Sequence, residues 1–350
     1  MNFDLLKQLC DAPGIPGQEH RLREIVRAEM GPMVDRIDCD PMGNLIGFKR
    51  GRAAKPKKLM IAAHMDEIGF IVKFIDDKGF VRLQPLGGFD PRQLFAQRVV
   101  VHAKDGQSLR GVLTYSTKPK HMLSAEEAAA SPKLENFYVD LGLSAEEVRK
   151  IVPIGTMVTM DRDLIRCGNA VVGKSLDNRV GLFVMIEAVR KAASHEVDIY
   201  PVATVQEEIG LRGAITSAYS VNPDIGVALD VTIASDFPGV SDPDMVTKLG
   251  QGVGIKIMDG SLVCHPKLVA HMRAIAEERG IPFQMEVLPA GGTDGGALQR
   301  ARGGSVSITL SVPTRYLHTV NEMTTEKDIE ATINLLAAYL EVAHLGDYAL

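Results

Sequence analysis

The spacing of apolar residues predicts an N-terminal region of helices and short strands. Apolar positions three and four residues apart predict a helix that begins at Phe3 and a second amphipathic helix over residues 18–30. Two short apolar runs, at residues 44–48 and 59–63, predict strands. The second run is followed directly by His64-Met65-Asp66-Glu67, so polar side chains lie at the end of a predicted buried strand.

The pattern changes between residues 68 and 163, where short β-rich runs are broken by Gly, Pro and Asp. Five strands are predicted there, at residues 69–75, 80–83, 99–103, 111–115 and 156–160. Two capping boxes, which pair Ser124 with Glu127 and Ser144 with Glu147, predict two short helices. We interpret this segment as a small barrel-like β domain inserted in the chain.

Strands and helices alternate in the remainder of the chain. Helices are predicted at residues 177–193, 211–219, 266–279 and 325–343, and strands at residues 197–206, 225–230, 283–288 and 305–310. Such alternation predicts a layered α/β fold, on which ligands bind at the carboxyl ends of the strands. We therefore expect an α/β domain formed by residues 1–67 and 164–350, interrupted by the β domain at residues 68–163.

Composition and charge exclude several classes of function. The 350 residues are 45% hydrophobic and 24% charged, which is typical of a globular protein. The net charge of -5, with no long basic run, argues against nucleic acid or an anionic membrane as a partner. The N-terminus lacks a signal-peptide pattern, and no window approaches the roughly 18 apolar residues of a membrane span, so we expect a cytoplasmic protein. The 4 cysteines are scattered and indicate neither a disulfide framework nor a thiolate zinc site.

Two adjacent carboxylates, Glu207 and Glu208, follow an apolar run that ends at Val205. In an extended segment successive side chains point to opposite sides. One carboxylate can then face a metal ion while the other faces the water that the metal activates. Taken alone, the pair favours an exposed acidic strand end over a metal site, because Glu is mostly a surface residue.

Further candidate ligands are distributed along the chain. In His64-x-Asp66 the spacing of two puts both side chains on one side of an extended segment, and a metal-binding His commonly donates its other N–H to a carboxylate. Asp177 begins a predicted helix, where an ordinary N-cap is the alternative interpretation. Asp230 ends an apolar run, and His318 follows the last predicted strand.

Together, His64, Asp177, Glu208, Asp230 and His318 form a set of two imidazoles and three carboxylates. This set suits a pair of zinc or cobalt ions better than calcium or magnesium, which prefer oxygen ligands alone, and manganese is a further candidate. The charges of two divalent ions are balanced by three carboxylates and a bridging hydroxide. Glu207 then remains as a general base.

A competing motif lies at residues 168–175, where the sequence matches the phosphate-binding pattern G-x-x-x-x-G-K-[ST] and favours an NTPase. Its interior, Ala170-Val171-Val172, is apolar and β-prone, whereas a phosphate-binding loop needs small flexible residues. The charged residues 161–163 stand where the preceding buried strand should be. An NTPase would also leave the His and Glu candidates unexplained.

The candidate motifs occur together in a known family. They are Ala63-His64-Met65-Asp66-Glu67-Ile68-Gly69-Phe70, Leu176-Asp177-Asn178-Arg179, Gln206-Glu207-Glu208-Ile209-Gly210-Leu211-Arg212-Gly213, Leu229-Asp230, the glycine-rich residues 291–295, and His318. Nearly end to end, the chain resembles metallopeptidase family forty-two, the tetrahedral (TET) aminopeptidases, some members of which are described as glutamyl aminopeptidases and some as endoglucanases.

The resemblance implies how the residues divide two metal ions between them. His64 and Asp230 would hold one ion, and Glu208 and His318 would hold the other. Asp177 would bridge the two.

The resemblance also implies hydrolysis of N-terminal residues from peptides, with Glu207 as general base and Asp66 orienting His64. It implies that residues 68–163 form a dimerisation domain and that dimers assemble into a hollow tetrahedral dodecamer. An endoglucanase is an alternative, but glycosidase carboxylates lie about 5–9.5 Å apart across the scissile bond, and the chain has no Trp to bind sugars. A non-catalytic metal-binding scaffold is a third alternative.

Overall fold

The computed structural model describes residues 1–118 and 120–350. The α-helices of these residues are α1 (Phe3–Asp11), α2 (His20–Met30), α3 (Ala125–Ala129), α4 (Ala145–Ile151), α5 (Leu176–Lys191), α6 (Arg212–Val221), α7 (Pro266–Arg279), α8 (Asp294–Gln299) and α9 (Glu326–Val342). The strands are β1 (Arg36–Cys39), β2 (Leu45–Phe48), β3 (Lys58–His64), β4 (Gly69–Ile75), β5 (Val81–Leu86), β6 (Gln97–His102), β7 (Ser108–Tyr115), β8 (Phe137–Asp140), β9 (Met157–Met160), β10 (Ile165–Cys167), β11 (Ala170–Gly173), β12 (Asp198–Thr204), β13 (Ile225–Ile233), β14 (Val253–Met258), β15 (Phe283–Val287), β16 (Val306–Thr314) and β17 (Glu322–Thr325). Among the described helices, none has the length and apolar character that a membrane crossing requires.

The first of two compact units comprises Met1–Glu67, Asp163–Leu317 and Asn321–Leu350. Its main sheet has 8 strands in the order β1-β2-β12-β3-β13-β16-β14-β15. The central strands β12, β3, β13 and β16 run parallel, while β2 and β14 pair antiparallel with β12 and β16. The α/β fold predicted from the alternation of helices and strands is confirmed.

Burial explains why the central strands read as continuous apolar runs. From Leu59 to His64 every residue of β3 is buried, and so is every residue of β13 up to Thr232. Parallel strands are covered on both faces, so they lack the alternation of a half-exposed strand. Helix α5, whose side chains are buried almost throughout, packs against β3 and β13 and also against α9.

Three predicted boundaries differ from the structure around the candidate residues. Strand β12 stops at Thr204, and Gln206 has a φ of 55°, so the side-chain alternation of an extended strand does not determine where the following carboxylates point. Asp230 lies inside β13, which continues to Ile233. Asp177 lies within the first turn of α5, two residues after Ser175, which occupies the N-cap position, so Asp177 is not the N-cap residue.

The second unit comprises Ile68–Arg162 with His318–Val320. Its strands form a closed barrel in the order β4-β5-β8-β7-β6-β9. The barrel interior is filled by fully buried aliphatic side chains such as Val72, Val99 and Val139. Both predicted capping boxes are present, at the starts of α3 and α4. The predicted barrel-like β domain is confirmed, and its role in dimerisation stays a prediction.

Candidate metal centre

The central parallel strands bring the candidate residues of the first unit to one edge of the sheet. His64 is the last residue of β3 and pairs in register with Thr204, the last residue of β12. Asp230 lies in β13 two residues beyond the point where its pairing with β3 ends. Because parallel strands end on the same side, the loop after β12 and the end of β3 lie beside Asp230.

The imidazole of His64 lies at the centre of a group of carboxylates. Its Nε2 is 3.1 Å from Asp177 Oδ1, 3.8 Å from Asp230 Oδ1 and 3.9 Å from Glu207 Oε2. Two sets of three residues, each with His64, have ligand atoms within 4.8 Å of one another: one adds Asp177 and Asp230, and the other adds Glu207 and Glu208. Imidazole nitrogen with carboxylate oxygen is a donor set suited to zinc and related ions.

Burial concentrates negative charge in this group. Burial raises the pKa of Glu207 well above its ordinary value, His64 opposes the rise, and the carboxylates of Asp230 and Glu208 add to it. Burial likewise raises the pKa of Asp230. Burial alone would lower the pKa of His64, but Glu207, Asp177 and Asp66 more than offset this, and the pKa is raised. A buried cluster of this charge is stabilised by cations, and divalent metal ions supply the largest local positive charge.

The backbone carbonyl and the side-chain carboxylate of Asp66 have different hydrogen-bond partners. Its backbone carbonyl oxygen is 2.9 Å from His64 Nδ1, whereas its Oδ1 is 3.6 Å away. The Nδ1 that faces a carbonyl carries the proton, which leaves Nε2 of His64 to bind a metal. The Asp66 carboxylate instead accepts the N–H groups of Glu207 and Glu208, each at 3.0 Å. The predicted orientation of His64 by the Asp66 side chain stays a prediction, and the backbone of Asp66 makes the shorter contact.

Asp177 is attached to the sheet through its neighbours. Its backbone N–H donates to Glu322 Oε2 at 2.9 Å. The side chain of Asn178 donates to the carbonyl oxygen of Leu229 at 2.8 Å, which ties the segment to β13 beside Asp230. Glu322 was not among the residues predicted from the sequence, because nothing in its local pattern distinguishes it from an ordinary strand glutamate.

Asp294 is a second buried acid that the sequence analysis missed. The Thr204 hydroxyl donates to its Oδ2 at 2.5 Å, while Oδ1 accepts no hydrogen bond from the described residues. Burial raises the pKa of Asp294 to about 6, and His64 opposes this rise. The glycine-rich stretch around residues 291–296 was the available signal, because it predicts close backbone approach.

His318 belongs to the short segment 318–320 that groups with the second unit. Its Nδ1 is 2.8 Å from the carbonyl oxygen of Gly88, in the same unit. An N–H on Nδ1 leaves Nε2 as the nitrogen that can bind a metal, as in His64. Its role as a metal ligand stays a prediction.

The segment 168–175 does not form a phosphate-binding loop. Residues Ala170–Gly173 are strand β11, which pairs with β10 and β17. Lys174 is buried, and its Nζ lies 2.7 Å from Glu67 Oε2 and 3.2 Å from the carbonyl oxygen of Cys10. The backbone amides of a strand and a lysine in a buried ion pair cannot surround phosphates, so the structure does not support the NTPase alternative.

Residues 43–335 match the sequence profile of the M42 glutamyl aminopeptidase family. The chain belongs to this family. The predicted resemblance is thereby confirmed, and family membership makes the protein a metal-dependent aminopeptidase of the hydrolase class. One similar protein is the lysyl aminopeptidase of Pyrococcus furiosus, which is 35% identical to this M42 chain over 349 residues that cover 97% of each protein.

Aminopeptidases and peptidases of solved structure share the fold of this M42 chain. An aminopeptidase from the archaeon Desulfurococcus kamchatkensis has 40% identity and a TM-score of 0.92, with 97% of this chain and 94% of that chain covered. The TET1 peptidase of Pyrococcus horikoshii has 32% identity and a TM-score of 0.85, with 97% and 99% covered. That peptidase is described as assembling into a tetrahedron or a large octahedral shell.

Proposed function

We propose that this M42 aminopeptidase releases N-terminal residues from peptides with two divalent metal ions, zinc or cobalt, with manganese as a further candidate. The observation that carries the proposal is the position of His64 Nε2, within 3.1–3.9 Å of three carboxylates in a buried group. His64 and Asp230 would hold one ion, Glu208 and His318 the other, and Asp177 would bridge them.

When bound, the ions would lower the pKa of a shared water and polarise the scissile carbonyl. The protein's own contribution is to orient ligands and to move a proton. The Asp66 carbonyl fixes the His64 ring with Nε2 toward the carboxylates. Glu207 would accept a proton from the attacking water and return it to the leaving amine, which is the role of a general base that later acts as an acid.

The raised pKa of Glu207 supports this choice of base. A general base is most effective when its pKa lies near the working pH, and burial moves a glutamate in that direction. Glu208, its neighbour, would instead hold the second ion. An endoglucanase has no support in this geometry, because the carboxylates converge on one imidazole instead of flanking a cleft.

The substrate would be a peptide with a free N-terminus, whose α-amine can pair with the acidic group. The test is a panel of leucyl, lysyl and glutamyl anilides, assayed after chelation and again after adding back zinc, cobalt or manganese. Glu207→Gln should retain its metal content, measured by atomic emission, and lose about 10²–10⁴-fold in kcat. Near wild-type turnover by this variant would show that another group is the base.

We also propose that the barrel unit mediates dimerisation and that dimers assemble into a tetrahedral dodecamer. The support is the P. horikoshii relative, 32% identical, which is described as able to assemble into a tetrahedron or a large octahedral shell. Light scattering should give twelve times the mass of the 37.9 kDa chain for a dodecamer. If assembly stops at dimers, it should give twice the mass of the chain. A monodisperse monomer at micromolar concentration would contradict both steps.

A further inference from the structure

Three consecutive backbone amides at the proposed active site face two carboxylates. The N–H of Gln206 donates to Glu19 Oε1 at 3.1 Å. The next two N–H groups, those of Glu207 and Glu208, donate to the two carboxylate oxygens of Asp66. Gln206 has a φ of 55°, in the left-handed region that non-glycine residues adopt only when their surroundings hold them there.

Glu19 is a buried acid whose side chain accepts a hydrogen bond from the turn at residues 206–208 and does not cap its own helix. It occupies the N-cap position of α2 but makes no side-chain capping bond there. It is only 4% exposed, and its Oε1 accepts the N–H of Gly17 at 2.8 Å as well as that of Gln206. Burial raises the pKa of Glu19 to about 7, and the charge of Asp66 adds to the rise. A buried carboxylate is costly unless it is hydrogen-bonded, so these two amides compensate for its burial.

The loop that carries Glu19 is itself fixed to the end of β3. The N–H of Gly14 donates to Glu67 Oε1 at 3.2 Å, and the N–H of Glu67 donates to the carbonyl oxygen of Gly14 at 2.9 Å. The guanidinium of Arg179 also donates to that carbonyl, at 3.2 Å. The position of Glu19 relative to His64 and Asp66 is therefore restrained by contacts other than its hydrogen bond with Gln206.

We propose that Glu19 is a positioning residue that, together with Asp66, fixes the backbone of residues 206–208 and thereby directs Glu207 and Glu208. Asp66 restrains only the second and third amides, and Glu19 restrains the first, where the backbone leaves the extended conformation. Glu19 is not one of the proposed metal ligands, and its role is to hold the backbone that carries two acidic side chains of the site. The inference rests on the proposed function, because it assigns a task to the two glutamates that Glu19 positions.

Removing the side chain tests the proposal through catalysis. Glu19→Ala should lower kcat by about 100-fold with a much smaller change in KM, because misplacing a catalytic group by about 1 Å costs a factor of that size. The matched control is Asp328→Ala, which removes a buried carboxylate that accepts the N–H groups of Gly250 and Gly252, each at 2.7 Å. If the folded Glu19→Ala protein retains as much kcat as Asp328→Ala, the proposal is wrong.

Two conservative variants separate geometry from charge and remain informative if Glu19→Ala does not fold. Glu19→Gln keeps an acceptor oxygen at the same distance from the backbone, so kcat should stay within about threefold of wild type, as expected for an exchange that preserves both hydrogen bonds. Glu19→Asp keeps the charge but is one methylene too short to reach both amides, so it should lose most of the activity. The reverse order, with Asp active and Gln inactive, would show that charge and not positioning is the role of Glu19.

Hydrogen exchange of the metal-free protein provides a readout that does not depend on turnover. In Glu19→Ala the amides of residues 206–208 should exchange at least about tenfold faster, while Asp328→Ala leaves them unchanged, because each lost bond lowers local protection. Unchanged exchange in Glu19→Ala would overturn the positioning role. Faster exchange together with a fully active Glu207→Gln would instead uphold the positioning of the loop and reject the proposed base, so the two failures are distinguishable.

Discussion

Replacing Lys174 with methionine tests whether the G-x-x-x-x-G-K-S segment is structural. Lys174 is buried beside Glu67, whose other oxygen lies 3.4 Å from an Arg179 nitrogen and 3.2 Å from the Gly14 N–H. Breaking a buried ion pair outright costs about 3–5 kcal/mol. Glu67 keeps two partners after the change, so we expect a smaller loss of stability, about 2 kcal/mol. The carbonyl oxygen of Cys10 also keeps a donor, the Ser175 hydroxyl at 2.7 Å.

The reciprocal variant should be worse. Glu67→Gln removes the negative charge that pairs with two buried cations, Lys174 and Arg179, so its cost should reach about 3–5 kcal/mol. Thermal unfolding should therefore rank wild type above Lys174→Met and Lys174→Met above Glu67→Gln, with midpoints several degrees apart. The exposed Lys118→Met, which breaks a surface pair with Glu127, is the control and should leave the midpoint unchanged.

Activity measured at 25 °C completes this test. Peptidase turnover by Lys174→Met should stay close to wild type, because Glu67 still accepts the Gly14 N–H and Glu19 still accepts the Gln206 N–H, so the backbone that positions Glu207 and Glu208 is kept. Isothermal titration should detect no tight ATP binding by the parent protein. Two results would refute the reasoning: a stability equal to wild type, which would mean that the buried pair contributes nothing, or strong ATP binding that Lys174→Met abolishes.

Three further predictions follow from the charges at the centre. Asp66→Asn should lower kcat and destabilise the fold by about 1–3 kcal/mol, because its amide nitrogen would face a backbone N–H; nitrogen NMR of His64 should still show the proton on Nδ1, whose partner is the backbone carbonyl. In metal-free protein, the free energy of unfolding should fall as the pH rises from about 4 to 7. Folding raises the pKa of Glu19 from 4.5 to about 7 and that of Asp294 from 3.8 to about 6, so the folded state binds more protons than the unfolded state. Urea titrations across this range check the sign, and a flat profile would contradict it. Adding zinc or cobalt to chelated protein should raise the unfolding midpoint with metal concentration, as for any ligand of the native state, whereas Asp177→Ala should weaken this response.

The parts of the site that could be predicted from sequence are those on which local pattern and sheet geometry agree. His64 follows a buried apolar run, and parallel strands end at a common edge, so its meeting with Asp230 follows from two local features. Strand alternation predicts that Glu207 and Glu208 point to opposite sides and so have different roles, but this alternation does not extend beyond Thr204. Their directions depend instead on hydrogen bonds to residues far away in the chain.

The supporting residues could not be predicted, because their function depends on contacts between distant segments. Glu19 lies at the start of an amphipathic helix, where an acidic residue is unremarkable, yet it accepts a hydrogen bond from a residue 187 positions away. Short strands β11 and β17 escape prediction for a related reason: each has only 4 residues, and they pair with each other although Ala170 and Thr325 are far apart in the chain. A local pattern cannot reveal a long-range pairing that stabilises so short a strand.

The misleading motif at residues 168–175 illustrates the same dependence on context. Residues that match the phosphate-binding pattern are required here for other reasons. The space at Gly173 does not admit a side chain, because an added Cβ would lie 2.9 Å from the backbone of Leu164. Lys174 neutralises the charge of Glu67. Glu67 in turn holds the Gly14 loop that carries Glu19 toward the turn at Gln206. The lysine thus adds stability to the segment that carries Glu19, whereas the hydrogen bonds that Gly14 and Gln206 donate to Glu67 and Glu19 fix the position of that segment. It follows that Lys174→Met and Glu19→Ala should weaken a shared structural element, and their effects on stability should be less than additive when combined.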